Sequence, residues 1–157
     1  MYPKPLVGVG GWLAFFVVAL CILGPAQAIS ATSVEFGKLE SSFSGTAALE
    51  SWKNYKLGAW TLIGFSISLR VIAGILLTSS FKPFSVRFTI AVLWTTPFVT
   101  SIGTYVLINA LFGSSAASAS LEYVFSELVI GLTIATVWTA YLLKSERVKN
   151  TYYGYRP

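Results

Sequence analysis

Two charged residues lie inside long apolar stretches of this 157-residue sequence, and they are its main candidates for chemistry. Arg70 lies midway along the second stretch, and Glu127 lies near the start of the fourth. A charged side chain at membrane depth usually faces the protein interior or water. The two residues either line a polar cavity that binds an anion or gates a proton path, or form a structural pair that fixes helix register. The sequence favours the structural pair, since nothing in it identifies a substrate.

Each of these charges shares a helix face with small residues at steps of four. Small residues at this spacing mark the faces through which membrane helices pack closely. We therefore predict helix packing through Ser66, Gly74, Gly131 and Ala135. The predicted boundaries place Arg70 and Glu127 about 14 Å apart along the bundle. A direct salt bridge then requires a tilt or shifted boundaries, and otherwise water or a hydroxyl would bridge the two side chains.

The residue types that most enzymes use are missing from the sequence. All six acidic residues are glutamates, histidine is absent, and Cys21 is the single cysteine. A Ser-His-Asp triad, a histidine base and a zinc or iron-sulfur site therefore lack the groups that they need. We predict a protein that is not an enzyme and that uses no cofactor and no metal.

The composition indicates a membrane protein. Hydrophobic residues make up 55% of the chain, charged residues 11%, and the mean hydropathy is +0.71, whereas a typical soluble domain has about 25% charged residues. Four apolar stretches each reach the roughly 20 residues that a spanning helix needs, and helices satisfy their own backbone in lipid. We predict an all-α bundle of four transmembrane helices over residues 6–29, 57–80, 88–112 and 123–143, with an external loop at 30–56 and a cytoplasmic tail at 144–157.

Lysine and arginine residues cluster beside particular ends of these stretches. Lys82 and Arg87 lie between the second and third stretches, and Lys144, Arg147 and Lys149 follow the fourth. Because such residues concentrate in cytoplasmic segments, both termini are predicted to be cytoplasmic. The same pattern explains the formal charge of +5 without nucleic acid as a partner. The basic run at 144–149 should also attract anionic lipid headgroups, at about 1 kcal/mol per basic residue.

Three segments differ from regular spanning helices. In the external loop, Phe36, Leu39 and Phe43 recur at helical spacing, which fits short amphipathic helices on the membrane surface, and a solvated linker is an equal alternative. The small residues at 113–120 predict a loop between the third and fourth helices. Gly24-Pro25 predicts a kink near the end of the first helix.

Short motifs near both ends of the chain carry a family resemblance. They are Gly10-Gly11-Trp12-Leu13 at the first helix, Gly24-Pro25 near its end, and Ser145-Glu-Arg-Val-Lys-Asn-Thr-Tyr152 after the fourth. With these motifs the chain resembles the DUF2569 family of small bacterial inner-membrane proteins. The resemblance implies a four-helix domain in the bacterial inner membrane, and it brings no activity and no catalytic residues.

The function predicted first is that of a non-enzymatic accessory or assembly subunit that acts through helix packing in a larger complex. The alternative is a small transporter or channel-like protein that uses Arg70 and Glu127. The expected partners are membrane lipids, together with another membrane protein or further copies of this chain.

Overall fold

The chain folds into helices joined by short turns. The structure is a computed structural model that describes residues 7–43 and 48–154. Its helices are α1 (Trp12–Val18), a π-helical turn (Ala19–Leu23), α2 (Gly24–Phe43), α3 (Ala48–Ser79), α4 (Pro83–Phe112), α5 (Ser114–Lys144) and α6 (Glu146–Tyr152). No strand occurs in this part of the chain.

Four helical segments are long and apolar enough to cross a membrane. They cover Trp12–Glu40, Leu49–Ser79, Pro83–Phe112 and Ser114–Lys144. The first comprises α1, the π-helical turn and α2, which follow one another without a break, and we call this unit the first spanning helix. The predicted all-α fold with four membrane-spanning helices is confirmed, whereas the side of the membrane that holds the termini stays a prediction.

The helices pack in chain order. α4 lies between α3 and α5 and packs extensively against both, while the first spanning helix contacts α3. Glycines let the backbones approach closely. A Cβ added at Gly74 of α3 would overlap the Cys21 sulfur, and one at Gly131 of α5 would lie 2.8 Å from Pro97 Cβ. Contacts of this kind are typical of membrane helices, which associate through small residues.

Residues 8–11, the α3–α4 turn and α6 meet at one end of the bundle, which we call the terminal end. The backbone N–H of Gly8 donates to the Thr151 hydroxyl at 2.9 Å. The buried Tyr152 hydroxyl donates to the Leu77 carbonyl of α3. The first part of the predicted tail therefore folds onto the bundle as α6 and contacts the start of the chain.

The opposite end of the bundle, which we call the hairpin end, contains the end of α2, the start of α3 and the α4–α5 turn. Helices continue here beyond the predicted spans, so most of the predicted external loop at 30–56 is helical. Residues 44–47, in the middle of that loop, lie outside the described residues. Neither alternative drawn from the sequence, surface helices or a solvated linker, matches these continuations of α2 and α3.

Contacts between α2 and α3 explain why both helices continue. Phe36 and Trp52 are buried against each other with ring centroids 5.4 Å apart. Lys56 Nζ forms an ion pair with Glu40 at 2.6 Å. Phe36, Trp52 and Ala59 form a small core at this end, with Leu49, Tyr55 and Phe112 packed against it.

The predicted loop of small residues at 113–120 is wrong. α5 begins at Ser114, and the turn is made by Gly113, which has a φ of 86°. Serine and alanine accept the helical conformation, whereas the left-handed region favours glycine. The chain therefore reverses direction at a single glycine.

Candidate functional site

A cavity lies between the first spanning helix, α4 and α5. Its volume is about 440 Å³, within the roughly 300–1,000 Å³ typical of small-molecule sites. Most of its lining is apolar, and α3 contributes Arg70. The charged, amide and hydroxyl side chains of the lining are Gln27, Arg70, Thr96, Thr100 and Glu127. The structure thus brings both charged residues identified from the sequence to one cavity.

The cavity exists because the first spanning helix and α5 lie apart along much of their length. Towards the terminal end, Phe16 and Trp138 join the two helices with ring centroids 4.5 Å apart. Towards the hairpin end, the Tyr123 hydroxyl donates to the Glu35 carboxylate at 3.4 Å. Between these contacts the cavity opens sideways past apolar side chains such as Ile130, which is half exposed.

The π-helical turn and Gly24 make room for the Arg70 guanidinium. A Cβ added at Gly24 would lie 3.3 Å from Arg70 Nη1 and 3.2 Å from the Ala19 carbonyl oxygen. That carbonyl accepts a hydrogen bond from the Gly24 N–H at π spacing. Pro25 has no N–H, so a carbonyl of the preceding turn lacks its backbone donor. The irregularity predicted at Gly24-Pro25 is a widened helical turn beside the cation.

Arg70 has no anionic partner in the part of the chain that the structure describes. The ion pair found there joins Lys56 and Glu40. No hydrogen bond links Arg70 to any described residue. The direct salt bridge with Glu127 that the sequence suggested is absent from these contacts, and a bridge through water stays a prediction.

Helix contacts show how far apart along the bundle the backbone positions of Arg70 and Glu127 lie. Contacts at Gly103 between α3 and α4, and at Gly131 between α4 and α5, set the register of these antiparallel helices. In that register Arg70 is roughly level with Thr133 of α5, about 9 Å along the bundle from Glu127. Arg70 therefore lies near the middle of the cavity and Glu127 lies towards the hairpin end.

The four small residues predicted to mediate helix packing all lie on packed faces. Ser66 and Ala135 are buried, Gly74 lies against Cys21, and Gly131 lies against α4. The buried Ser66 hydroxyl has no hydrogen-bond partner among the described residues. Their importance for stability stays a prediction.

The three basic residues predicted to meet lipid headgroups differ in their surroundings. Lys144 and Lys149 are exposed, and Arg147 is half-buried. Arg147 Nη1 lies 3.5 Å from the Gly8 carbonyl oxygen and 2.8 Å from the position of a Cβ at Gly10. Arg147 therefore connects the two terminal motifs, and lipid contact stays a prediction for all three residues.

Sequence reasoning missed the contribution of the first spanning helix to this site. Gln27 and Phe16 line the cavity. Phe16 is one apolar residue among many, and Gln27, although polar, lies two residues before the end of the predicted first helix at 6–29. Their role depends on the separation of two helices that are distant in sequence, which no local spacing reveals. Among the described residues, no group of three or more His, Cys, Asp or Glu side chains is placed to hold a metal ion.

Comparison with known proteins identifies the family of the chain. A family model described as a protein of unknown function, DUF2569, matches residues 6–153, nearly the whole sequence. No curated protein and no solved structure matches the chain. The matched region includes the terminal motifs that meet at α6 and all four membrane-spanning helices. The chain therefore belongs to the DUF2569 family, whose function is unknown.

Proposed function

We propose that this multi-pass membrane protein binds a ligand with a negatively charged group in its cavity and acts as a small, non-enzymatic carrier or channel-like protein. The observation that carries the proposal is the position of Arg70, which lines the cavity without an anionic partner among the described residues. The sequence favoured an accessory subunit. We place a carrier or channel-like function first because no ion pair joins Arg70 to Glu127 among the described residues.

A cation at the depth of Arg70 needs a compensating group. Arg70 lies roughly nine residues, or about 14 Å, from the end of α3, which is near the middle of a hydrocarbon core about 30 Å thick. A charged side chain at that depth costs about 2.5–3.5 kcal/mol on insertion scales. A bound phosphate or carboxylate would offset this cost through charge-assisted, bidentate hydrogen bonds to the guanidinium.

Retention of a native ligand tests the proposal. The full chain is solubilised gently from its native membrane, and co-purifying small molecules and lipids are identified by mass spectrometry for the wild type, Arg70→Gln and Arg87→Gln. Arg87 is exposed on α4 and lies outside the cavity lining, so its variant is the matched control. We expect the wild type and the control to retain a molecule with a negatively charged group, and Arg70→Gln to lose most of it. Identical contents in all three would overturn the proposal.

An accessory or assembly subunit is the second candidate, and the hairpin end favours it. There α2 and α3 extend past the predicted spans with a small core of their own. Their charged outer surface offers a binding face to a partner membrane protein or to another copy of the chain. A protein that co-purifies at constant stoichiometry with the wild type and with Arg70→Gln would support this function instead.

The location proposed for the chain is the inner membrane of a bacterium, with both termini in the cytoplasm. The exposed basic residues Lys82, Arg87, Lys144 and Lys149 support this orientation, because all four lie at the terminal end. Basic residues beside spanning helices concentrate on the cytoplasmic side.

A further inference from the structure

We infer that the cavity binds a zwitterionic lipid whose phosphate contacts Arg70 and whose ammonium group faces Glu127. The inference rests on the proposed function and adds the chemical class of the ligand. Three observations carry it: two opposite charges at different depths, an apolar opening on one side, and a ring contact that closes the terminal side.

The cavity contains a cation and a carboxylate that do not pair with each other. Helix register separates the backbone positions of Arg70 and Glu127 by about 9 Å along the bundle, and no ion pair joins their side chains in the described residues. A simple anion would satisfy Arg70 but would be repelled by Glu127. A phosphoethanolamine headgroup carries both charges a few bonds apart. With a charge-assisted hydrogen bond at each end, it would contact both side chains and leave the cavity neutral.

The side opening favours a lipid over a soluble zwitterion. Leu23 of the first spanning helix and Ile130 and Ile134 of α5 line the cavity while remaining about half exposed. In a membrane-spanning bundle these exposed apolar surfaces face the acyl chains of the bilayer. The tails of a bound lipid would leave the cavity between the two helices without crossing a polar surface. A soluble headgroup would gain nothing from this apolar mouth.

The position of the ring contact indicates the leaflet from which the lipid enters. Phe16 and Trp138 pack together on the terminal side of the cavity, whereas Gln27, Ala31 and Glu127 line the side towards the hairpin end. A headgroup therefore enters from the leaflet at the hairpin end. The Gln27 amide lies on this route, and its N–H groups are suitable donors to a phosphate oxygen.

Lipid titrations followed by native mass spectrometry test the inference. The full chain is depleted of lipid in a mild detergent and titrated with phosphatidylethanolamine, with phosphatidylglycerol, or with glycerophosphoethanolamine, which is the headgroup without acyl chains. We expect phosphatidylethanolamine to bind at least about fivefold more tightly than phosphatidylglycerol and at least about tenfold more tightly than the free headgroup. Equal affinity for the two phospholipids would overturn the inference.

Variants that remove one charge at a time give opposite predictions for the two lipids. Arg70→Gln should weaken both phospholipids by about tenfold or more, because both present a phosphate. Glu127→Gln should weaken phosphatidylethanolamine, which loses the partner of its ammonium group, and strengthen phosphatidylglycerol, which loses a repulsion. The control variant Arg87→Gln should change neither affinity.

The outcomes separate this inference from the proposed function. If Arg70→Gln weakens both lipids but Glu127→Gln leaves their ratio unchanged, the zwitterion inference fails and an anion-binding cavity stands. If the free headgroup binds as tightly as the lipid, a lipid ligand is excluded. If Arg70→Gln changes no affinity, both proposals fail. If Arg70→Gln does not fold, the test is made with Arg70→Lys and Glu127→Gln. Arg70→Lys should fold because it keeps the positive charge, and Glu127→Gln should fold because Glu127 is exposed on α5.

Discussion

The missing Cβ of Gly74 allows α3 to approach the first spanning helix closely. Gly74 leaves no space for a Cβ, which would overlap the Cys21 sulfur. We expect Gly74→Ala to lower the free energy of unfolding by roughly 1–3 kcal/mol, as overpacking does. The double variant Gly74→Ala/Cys21→Ala should recover most of this loss, because the clashing sulfur is gone.

Gly64 of the same helix provides the matched control for Gly74. A Cβ at Gly64 meets nothing within 4 Å, so Gly64→Ala should be neutral or stabilising by up to about 1 kcal/mol. Reversible unfolding of the purified variants in mixed micelles measures all three effects. A loss at Gly74 that persists in the double variant would show that the sulfur contact is not its cause.

The Tyr152 hydroxyl connects α6 to α3. Burial, with a smaller contribution from Tyr141, raises the pKa of Tyr152 from 10.0 to about 12. Because the pKa is higher in the folded state, the protonated hydroxyl makes its full contribution to the free energy of unfolding below pH 10. This contribution is lost as the pH rises towards 12. Tyr152→Phe leaves the Leu77 carbonyl without this donor and should cost about 1–3 kcal/mol at neutral pH.

Unfolding measured between pH 10 and pH 12 checks the titration of Tyr152. The wild type should lose more stability across this interval than Tyr152→Phe, which has no hydroxyl to ionise at that position. Equal losses in the two proteins would mean that Tyr152 does not titrate differently in the folded and unfolded states.

The two charged residues of the site could be identified from the sequence, but their relationship could not. Arg70 and Glu127 stand out because charges are expensive in apolar segments. Whether they pair depends on the register of α3, α4 and α5, which is set by glycine contacts such as that at Gly131. The backbone offset of about 14 Å predicted from the sequence is about 9 Å in the structure, yet no ion pair between the two side chains is found among the described residues.

At the scale of the elements, a glycine turn joins α4 and α5. Gly113 has a φ of 86°, and a Cβ there would meet no atom within 4 Å. Any effect of Gly113→Ala therefore comes from the backbone, and we expect it to destabilise the protein by about 1–2 kcal/mol. Gly37→Ala, in the open surroundings of helix α2, should instead stabilise it by about 0.5–1 kcal/mol. If Gly113→Ala and Gly37→Ala changed the free energy of unfolding equally, the positive φ assigned to Gly113 would be contradicted.

The ends of the elements were harder to predict than their number. Hydropathy marks the length of chain that fits in lipid, and it gave the four spanning segments because each is a long apolar run. It does not mark where a helix ends. Polar residues at 30–43 continue α2 because Phe36 packs against α3, and the small residues at 114–120 begin α5 because only Gly113 needs a turn conformation.

At the scale of the whole molecule, four crossings place the terminal end and the hairpin end on opposite sides of the membrane. Ser85 lies at the terminal end and Ser118 lies at the hairpin end. Because the flanking basic residues lie at the terminal end, we expect topology reporters fused after Ser85 to be cytoplasmic and those fused after Ser118 to be external. An external signal at Ser85 would contradict the orientation, and the same signal at both sites would contradict the alternation of the helices.

The cavity is a property of the whole molecule and left no local trace in the sequence. It depends on the first spanning helix packing against α3 while lying apart from α5. The one part of the cavity wall that the sequence indicates is the widened turn before Gly24, because Pro25 removes a backbone donor from an otherwise regular helix. The meeting of the terminal motifs through Gly8 and Thr151 could likewise be seen only in the folded chain.

A crystal structure of the full chain, from crystals grown with native lipids present, tests most directly whether the Arg70 guanidinium binds a ligand or pairs with Glu127. We expect non-protein density in the cavity within hydrogen-bond distance of the Arg70 guanidinium, with the Glu127 carboxylate on the hairpin-end side of that density. An ion pair between Arg70 and Glu127, with α5 packed against the first spanning helix and no room for a ligand between them, would contradict a binding function for this cavity.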